Sequence, residues 1–171
     1  MILTLIWGAA VVYMNRLAAK FATKRAALIS DHPLPDVLHD ALPQIHPHAP
    51  DFLLLLCFLR VLIFRLHVPY AEVFRLLSSL SLRPIFICMT SFPTCFEKEE
   101  KKDESVYSKW FLSKHDLMFS GHTCCFVFFG HVIQGVLGHG IVKFLFPLTL
   151  IAARQHYTID VVVAMLVYHS V

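Results

Sequence analysis

Phe119-Ser120-Gly121-His122-Thr123 and Gln155-His156-Tyr157-Thr158-Ile159-Asp160 are two short polar runs set at the edges of apolar segments. Their histidines lie 34 positions apart. That spacing predicts a hairpin of two membrane helices, which returns both imidazoles to one membrane face. His156 and Asp160 are four apart, so on a helix they share a face and the carboxylate reaches the ring. One histidine oriented by a carboxylate, with a second at the same depth, is equipment for phosphoryl transfer through a phosphohistidine.

The composition around these runs sets the class. Of 171 residues, 57% are hydrophobic and only 16% charged, and the mean hydropathy is +0.63. This predicts an all-α polytopic membrane protein of one domain, with about five to six transmembrane helices. A net charge of +3, carried by scattered basic residues, excludes a nucleic-acid interface. The five cysteines have no metal-ligand spacing, and the four in or beside apolar runs read as small hydrophobes. Neither a metal nor a cofactor is expected.

The whole chain, 1–171, reads as a single membrane domain with apolar segments at about 1–15, 52–69, 72–92, 118–137, 141–154 and 158–171. The first run is uncharged only as far as Asn15, roughly 22 Å of helix, short of the ~30 Å hydrocarbon core. Without a basic n-region or small-residue cleavage site it reads as a membrane helix rather than a signal peptide. Five prolines between Asp31 and Pro50 rule out a long regular element there. Asp36 and Asp40 then read as a solvated loop with a capping aspartate. Glu97 to Glu104 is eight consecutive charged residues, a solvated loop at 97–104, and Tyr107, Trp110 and Phe111 mark the return to the interface. Gly138-His139-Gly140 is the expected break between the fourth and fifth helices. The last apolar run, Val161 to Val171, covers roughly 16 Å as a helix, so the last helix reads as truncated.

Several residues are candidates for holding a phosphodiester. Ser120 is placed to cap the fourth helix, whose free N–H groups and positive dipole end form an anion site. Gly121 allows close backbone approach. Arg83 and Arg154 offer guanidinium groups, against the ordinary reading of arginines reaching back to the interface. Tyr157, inside the second run, joins the substrate-binding candidates. His131 and His139 lack such context and read as ordinary interface residues.

Ser120-Gly121-His122-Thr123 together with His156-Tyr157-Thr158-Ile159-Asp160-Val161 resembles the signature of the sphingomyelin synthase family, the ceramide phosphotransferase branch of the type 2 phosphatidic acid phosphatase superfamily. Pro33-Leu34-Pro35-Asp36 is similar to the family's loop after its first span, and Arg83 with Thr90 also fits. The resemblance runs from about residue 33 to the C-terminus. It implies a type 2 phosphatidic acid phosphatase-like bundle in which His156, oriented by Asp160, attacks phosphorus and His122 serves as acid, then base. Spacing alone allows the two histidines to be swapped. Asp116 matches an aspartate of the family pattern and is expected to position substrate or tune the histidines. The implied partners are ceramide, a glycerophospholipid (phosphatidylcholine, phosphatidylethanolamine or phosphatidylinositol), the lipid bilayer and a second copy of the chain.

The implied location is the Golgi or plasma membrane, with the site facing the lumen or exterior. Counting Lys and Arg over the loops points the other way, towards the cytosol. The chain departs from the pattern at Lys114-His115, before Asp116, and at Met165, where a tyrosine is expected. Leu76 and Ile151 stand where the phosphatase branch has lysine and arginine, which favours a transferase. Hydrolysis by a lipid phosphate phosphatase or phospholipase C-like activity, and a truncated non-catalytic membrane protein, are the competing readings.

Overall fold

A computed structural model describes residues 2–26, 32–90, 92–93, 95 and 117–171. The charged loop 97–104, the aromatic residues at 107, 110 and 111, and Asp116 lie outside the described residues. Every regular element among the described residues is helical, in agreement with the all-α expectation.

Helix α1, Ile2–Ala26, is 25 residues long, about 37 Å. It continues past Asn15, the residue at which the apolar run ends. Asn15 is accommodated because its amide donates to the carbonyls of Val11 (2.8 Å) and Leu80 (2.9 Å) while its oxygen accepts from Arg83 (2.9 Å). Trp7 Nε1 also donates to Ser81 Oγ at 3.0 Å. Both contacts fasten α1 to α4, Tyr70–Met89. Lys24 and Arg25 occupy the last turn of α1, where cations complement the helix dipole.

Between them, α2 is the short helix Val37–Ala41 and α3 is Ala49–Ile63. Asp36 caps α2 by accepting from the N–H groups of Leu38 and His39, as the loop reading expected of one aspartate. Helix α3 ends early relative to the apolar stretch 52–69, at Phe64 and a left-handed Arg65 (φ 48°).

The hairpin is built from α5, Gly121–Ile133, a π-helix, Val136–Leu145, and α6, Phe146–Ala152. The turn falls at Gln134-Gly135, both with positive φ (56° and 63°), not at Gly138-His139-Gly140. The physical reason is packing. A Cβ on Gly138 would stand 2.4 Å from the Gly130 carbonyl oxygen, and one on Gly130 would stand 2.8 Å from Lys143 Cβ. Gly138 is therefore used for close approach of the two arms rather than for a chain reversal. Helix α7, Thr158–Ser170, closes the chain.

Helix α5 lies at the centre, packed against α3, α4, α6, α7 and the π-helix. One side of the core joins Phe126 to Cys57, Val142, Leu150, Ile151 and Val161. The other joins Phe119, Cys124 and Val127 to Ala164 and Tyr168. Among the described residues one helix, Ile2–Arg25, is long and apolar enough to cross a membrane, and 17% of its apolar 18-residue window is buried. Gly121–Ile133, Val136–Ala152 and Thr158–Ser170 are shorter apolar helices.

Candidate active site

The N-terminal ends of α5 and α7 meet at Asp160. This carboxylate is fully buried, and an ionised carboxylate in such a place must have donors on its lone pairs. It has three. His156 Nδ1 lies 3.1 Å from Oδ2, the Tyr157 N–H donates to Oδ2 at 3.0 Å, and the Met118 N–H donates to Oδ1 at 2.8 Å. The Ser120 N–H donates to the Asp160 main-chain oxygen at 3.3 Å. One residue of the second motif thus binds the backbone entering the first.

The expected His156–Asp160 contact is present, but its geometry is not that of two residues on a helix face. His156 precedes Tyr157, the N-cap of α7, and Asp160 is the third residue of that helix. The carboxylate reaches back over the helix start, as in a capping box, and takes the imidazole with the cap N–H. With Nδ1–H donated to Asp160, the His156 Nε2 lone pair is left to act as a nucleophile. The His156 side chain is 10% exposed, so the ring is nearly desolvated.

His122 sits in the first turn of α5, after the N-cap Ser120, whose Oγ accepts from the Thr123 N–H at 3.2 Å. The N–H groups of Gly121 and His122 belong to the first turn, which has no intrahelical acceptors. Together with the positive end of the helix dipole they leave main-chain donors directed outward from the helix start. His122 Nε2 lies 2.9 Å from Asp51 Oδ1, and the His48 ring lies 3.5 Å from the other oxygen of that carboxylate. The His122 hydrogen bond outweighs the cost of partial burial and holds the Asp51 carboxyl below the usual carboxylate range. Sequence reasoning missed Asp51 because 71 positions separate it from His122, and nothing local to it suggests chemistry.

The other candidates are arranged less uniformly. Arg83 donates from Nε to the Phe119 carbonyl at 2.9 Å and from Nη1 to Asn15. Its guanidinium passes 3.4 Å from where a Cβ on Gly121 would stand, so it borders the first turn of α5 while fixing α1, α4 and the loop before α5. Arg154 is in a left-handed conformation (φ 57°), and its buried Nη1 has no hydrogen-bond partner among the described residues. Its Nη2 donates to the His39 carbonyl and, at 3.3 Å, to that of Leu42, which anchors α2. The Tyr157 hydroxyl donates to the Pro93 carbonyl (3.1 Å) and accepts from the Leu34 N–H (3.0 Å). Burial raises this phenol to about 12, so it stays protonated.

Residues 33–39 form a strap over the second motif. Asp36 accepts from the Thr158 N–H (2.7 Å) and hydroxyl (2.6 Å), and His39 Nε2 lies 3.1 Å from the His156 carbonyl. Partial burial pushes the Asp36 carboxyl up, but the bonds from Thr158 and His39 prevail and hold it below its ordinary value. Between this strap and α7 lies a mostly apolar cleft of about 340 Å³, walled by Leu34, Val37, Phe92, Ile159 and Val162.

Two non-glycine residues flanking the site, Met118 (φ 83°) and Arg154, are left-handed, a conformation that costs about 1–2 kcal/mol. At Met118 the strain aims its N–H at Asp160. Such strain concentrates where a structure holds groups in a set geometry.

No curated protein matches the chain. Residues 115–171, the part that holds both histidine motifs and Asp160, match the family model described as PAP2 superfamily C-terminal. This last third of the chain is similar to the C-terminal region of the type 2 phosphatidic acid phosphatase superfamily.

Proposed function

We propose that the chain is a multi-pass membrane phosphotransferase of the sphingomyelin synthase type. It moves a phospho-headgroup from a glycerophospholipid to the primary hydroxyl of ceramide and releases diacylglycerol. The observation that carries the reading is the pairing of each motif histidine with its own carboxylate, His156 with Asp160 and His122 with Asp51. The PAP2 superfamily match over residues 115–171 supports lipid phosphatase or phosphotransferase chemistry at these residues.

In the first half-reaction His156 Nε2 attacks phosphorus and the bond to the diacylglycerol oxygen breaks. His122, protonated at the start, gives that oxygen a proton. The product is a phosphohistidine, with the His156 positive charge balanced by Asp160. In the second, neutral His122 takes the proton from the ceramide hydroxyl, whose oxygen attacks phosphorus and returns His156 to its neutral form. One histidine must begin neutral and the other charged, which imidazoles do near neutral pH. Asp160 and Asp51 orient the rings and stabilise whichever is cationic. The Gly121–His122 turn and Arg83 border the phosphate, and the apolar cleft beside Tyr157 offers room for a lipid chain. The location that goes with this reading is the Golgi or plasma membrane, with the site on the luminal or exterior face.

The test uses membranes expressing the chain, fluorescent ceramide, and mixed phosphatidylcholine, phosphatidylethanolamine and phosphatidylinositol, with His156→Ala as control. A fluorescent phospholipid made by the wild type and absent from the variant supports the transferase and names the headgroup. Diacylglycerol or phosphate released without ceramide points instead to hydrolysis. His122 is 29% exposed, open enough for water to serve as acceptor. Absence of any product from a well-expressed chain overturns both enzyme readings.

A further inference from the structure

A second polar constellation lies along the three helices that carry the candidate site, and phosphoryl transfer does not use it. Helix α4 carries Arg83 at the site and Glu72 eleven positions earlier. Helix α5 carries His122 and, nine positions later, His131. Helix α7 carries Asp160 and, eight positions later, Tyr168. At 1.5 Å per residue these separations are roughly 12–17 Å along each helix.

Glu72 is buried. One of its oxygens accepts from the Tyr168 hydroxyl at 3.0 Å and the other from Arg75 Nη1 at 2.9 Å. The His131 ring lies nearly parallel to that of Tyr168, with centroids 6.2 Å apart and an 11° angle. The rings of His139 and His169 approach it to 5.7 and 5.9 Å. His131 Nε2 is 3.3 Å from Lys143 Nζ. Among the described residues no group of three or more His, Cys, Asp or Glu is arranged to hold a metal ion, so these imidazoles do not form a metal site.

An ammonium group has donors and no acceptor. The Lys143 contact therefore needs the lone pair on His131 Nε2, with the ring neutral and its proton on Nδ1. Protonating His131 sets two cations 3.3 Å apart. The His139 ring on the π-helix and the His169 ring on α7 also face His131. Glu72 is the opposing charge, but Arg75 and Tyr168 already occupy both its oxygens. Lys143 belongs to the π-helix, a rare conformation that marks functional positions more often than ordinary ones.

We propose that the His131–Lys143 contact is a proton-sensitive latch. Neutral His131 holds the π-helix Val136–Leu145 against the last turn of α5, and protonation of His131 releases it. The latch is independent of the catalytic reading, because its readout is structural.

The experiment is amide hydrogen exchange on the full chain in detergent at roughly pH 7.5 and 5.5, either side of the imidazole range, with rates corrected for intrinsic exchange. Protection across 136–145 is expected to fall about fivefold at the lower pH, which is what one pKa unit of coupling delivers between those two pH values, while 121–129 keep theirs. His131→Gln retains an acceptor for Lys143 and cannot titrate, so its protection is expected to stay level. A wild type that shows no fall, or a His131→Gln variant that falls as far, overturns the latch. Should His131→Gln fail to fold, Lys143→Met removes the cation instead. Its protection is also expected to be level, and a persisting fall is the overturning result.

Discussion

Asp51, in the first turn of α3, holds Nε2 of His122, in the first turn of α5, at 2.9 Å. The contact gives the first motif histidine a carboxylate of its own, matching the one that Asp160 gives His156.

That relationship makes Asp51 a positioning residue for His122. Under the phosphotransferase reading, Asp51→Ala is expected to lower the rate by about a hundredfold, the lower end of what general acid–base groups contribute. Because Asp51 orients the ring and does not touch lipid, the loss is expected in kcat with KM nearly unchanged. A merely structural role lowers thermal stability without that split. Product formation at varied fluorescent ceramide concentration, with thermal unfolding beside it, checks both.

Asp160 separates architecture from chemistry. Removing it leaves the N–H groups of Met118 and Tyr157 and the His156 ring without their acceptor. Asp160→Ala is expected to cost about 3 kcal/mol, a fall in Tm of roughly 6–12 °C for a chain of this size. His156→Ala removes the nucleophile and leaves those N–H bonds in place, so it is expected to abolish transfer with a much smaller fall in Tm. Thermal unfolding in detergent distinguishes the two.

The hairpin glycines divide by what surrounds them. Gly138→Ala drives a Cβ to 2.4 Å from the Gly130 carbonyl oxygen, and neither backbone has a side chain to move aside. It is expected to destabilise the protein by about 2–3 kcal/mol. Gly140→Ala meets its nearest neighbour at 3.9 Å and is expected to be neutral or slightly stabilising. Equal losses at both positions contradict the observed close crossing at Gly130 and Gly138.

Acid should loosen the strap and the Asp51 pairing together. Asp36 and Asp51 are both held below their ordinary value of 3.8. A carboxyl lowered in the folded state contributes stability that is complete above that value and is lost as pH falls through the lower folded one. Thermal stability is therefore expected to decline below about pH 4. Thr158→Val deletes the 2.6 Å hydroxyl donor to Asp36, so its decline is expected to be shallower. A wild-type midpoint that stays level down to about pH 2 contradicts these assignments.

The reach of the sequence differs from residue to residue. His122, Ser120, His156 and Asp160 were legible because each motif is short and its chemistry depends on neighbours within five positions. The structure gives Ser120 its cap and His156 its carboxylate. The Gly138–Gly140 break was misplaced because glycine serves tight turns and tight packing alike, and only the opposing arm at Gly130 distinguishes them. Arg154 was equally ambiguous. A guanidinium binds a phosphate or a row of main-chain carbonyls with the same donors, and here Nη2 serves the carbonyls of His39 and Leu42 while Nη1 has no partner among the described residues.

The sequence alone determined the helical, apolar character of the chain and the two histidine motifs, because apolar runs, helix caps and short motifs are local properties. The tertiary structure alone decided that Asp51 meets His122 across 71 positions, that Asp36 clamps Thr158 across 122, and that Asn15 is absorbed into α1 by Leu80 and Arg83. Each of these joins a buried or half-buried polar group to a partner on another helix. A buried polar group must find a partner, but its own neighbourhood in the chain does not say which one, because that choice is made by how the helices pack.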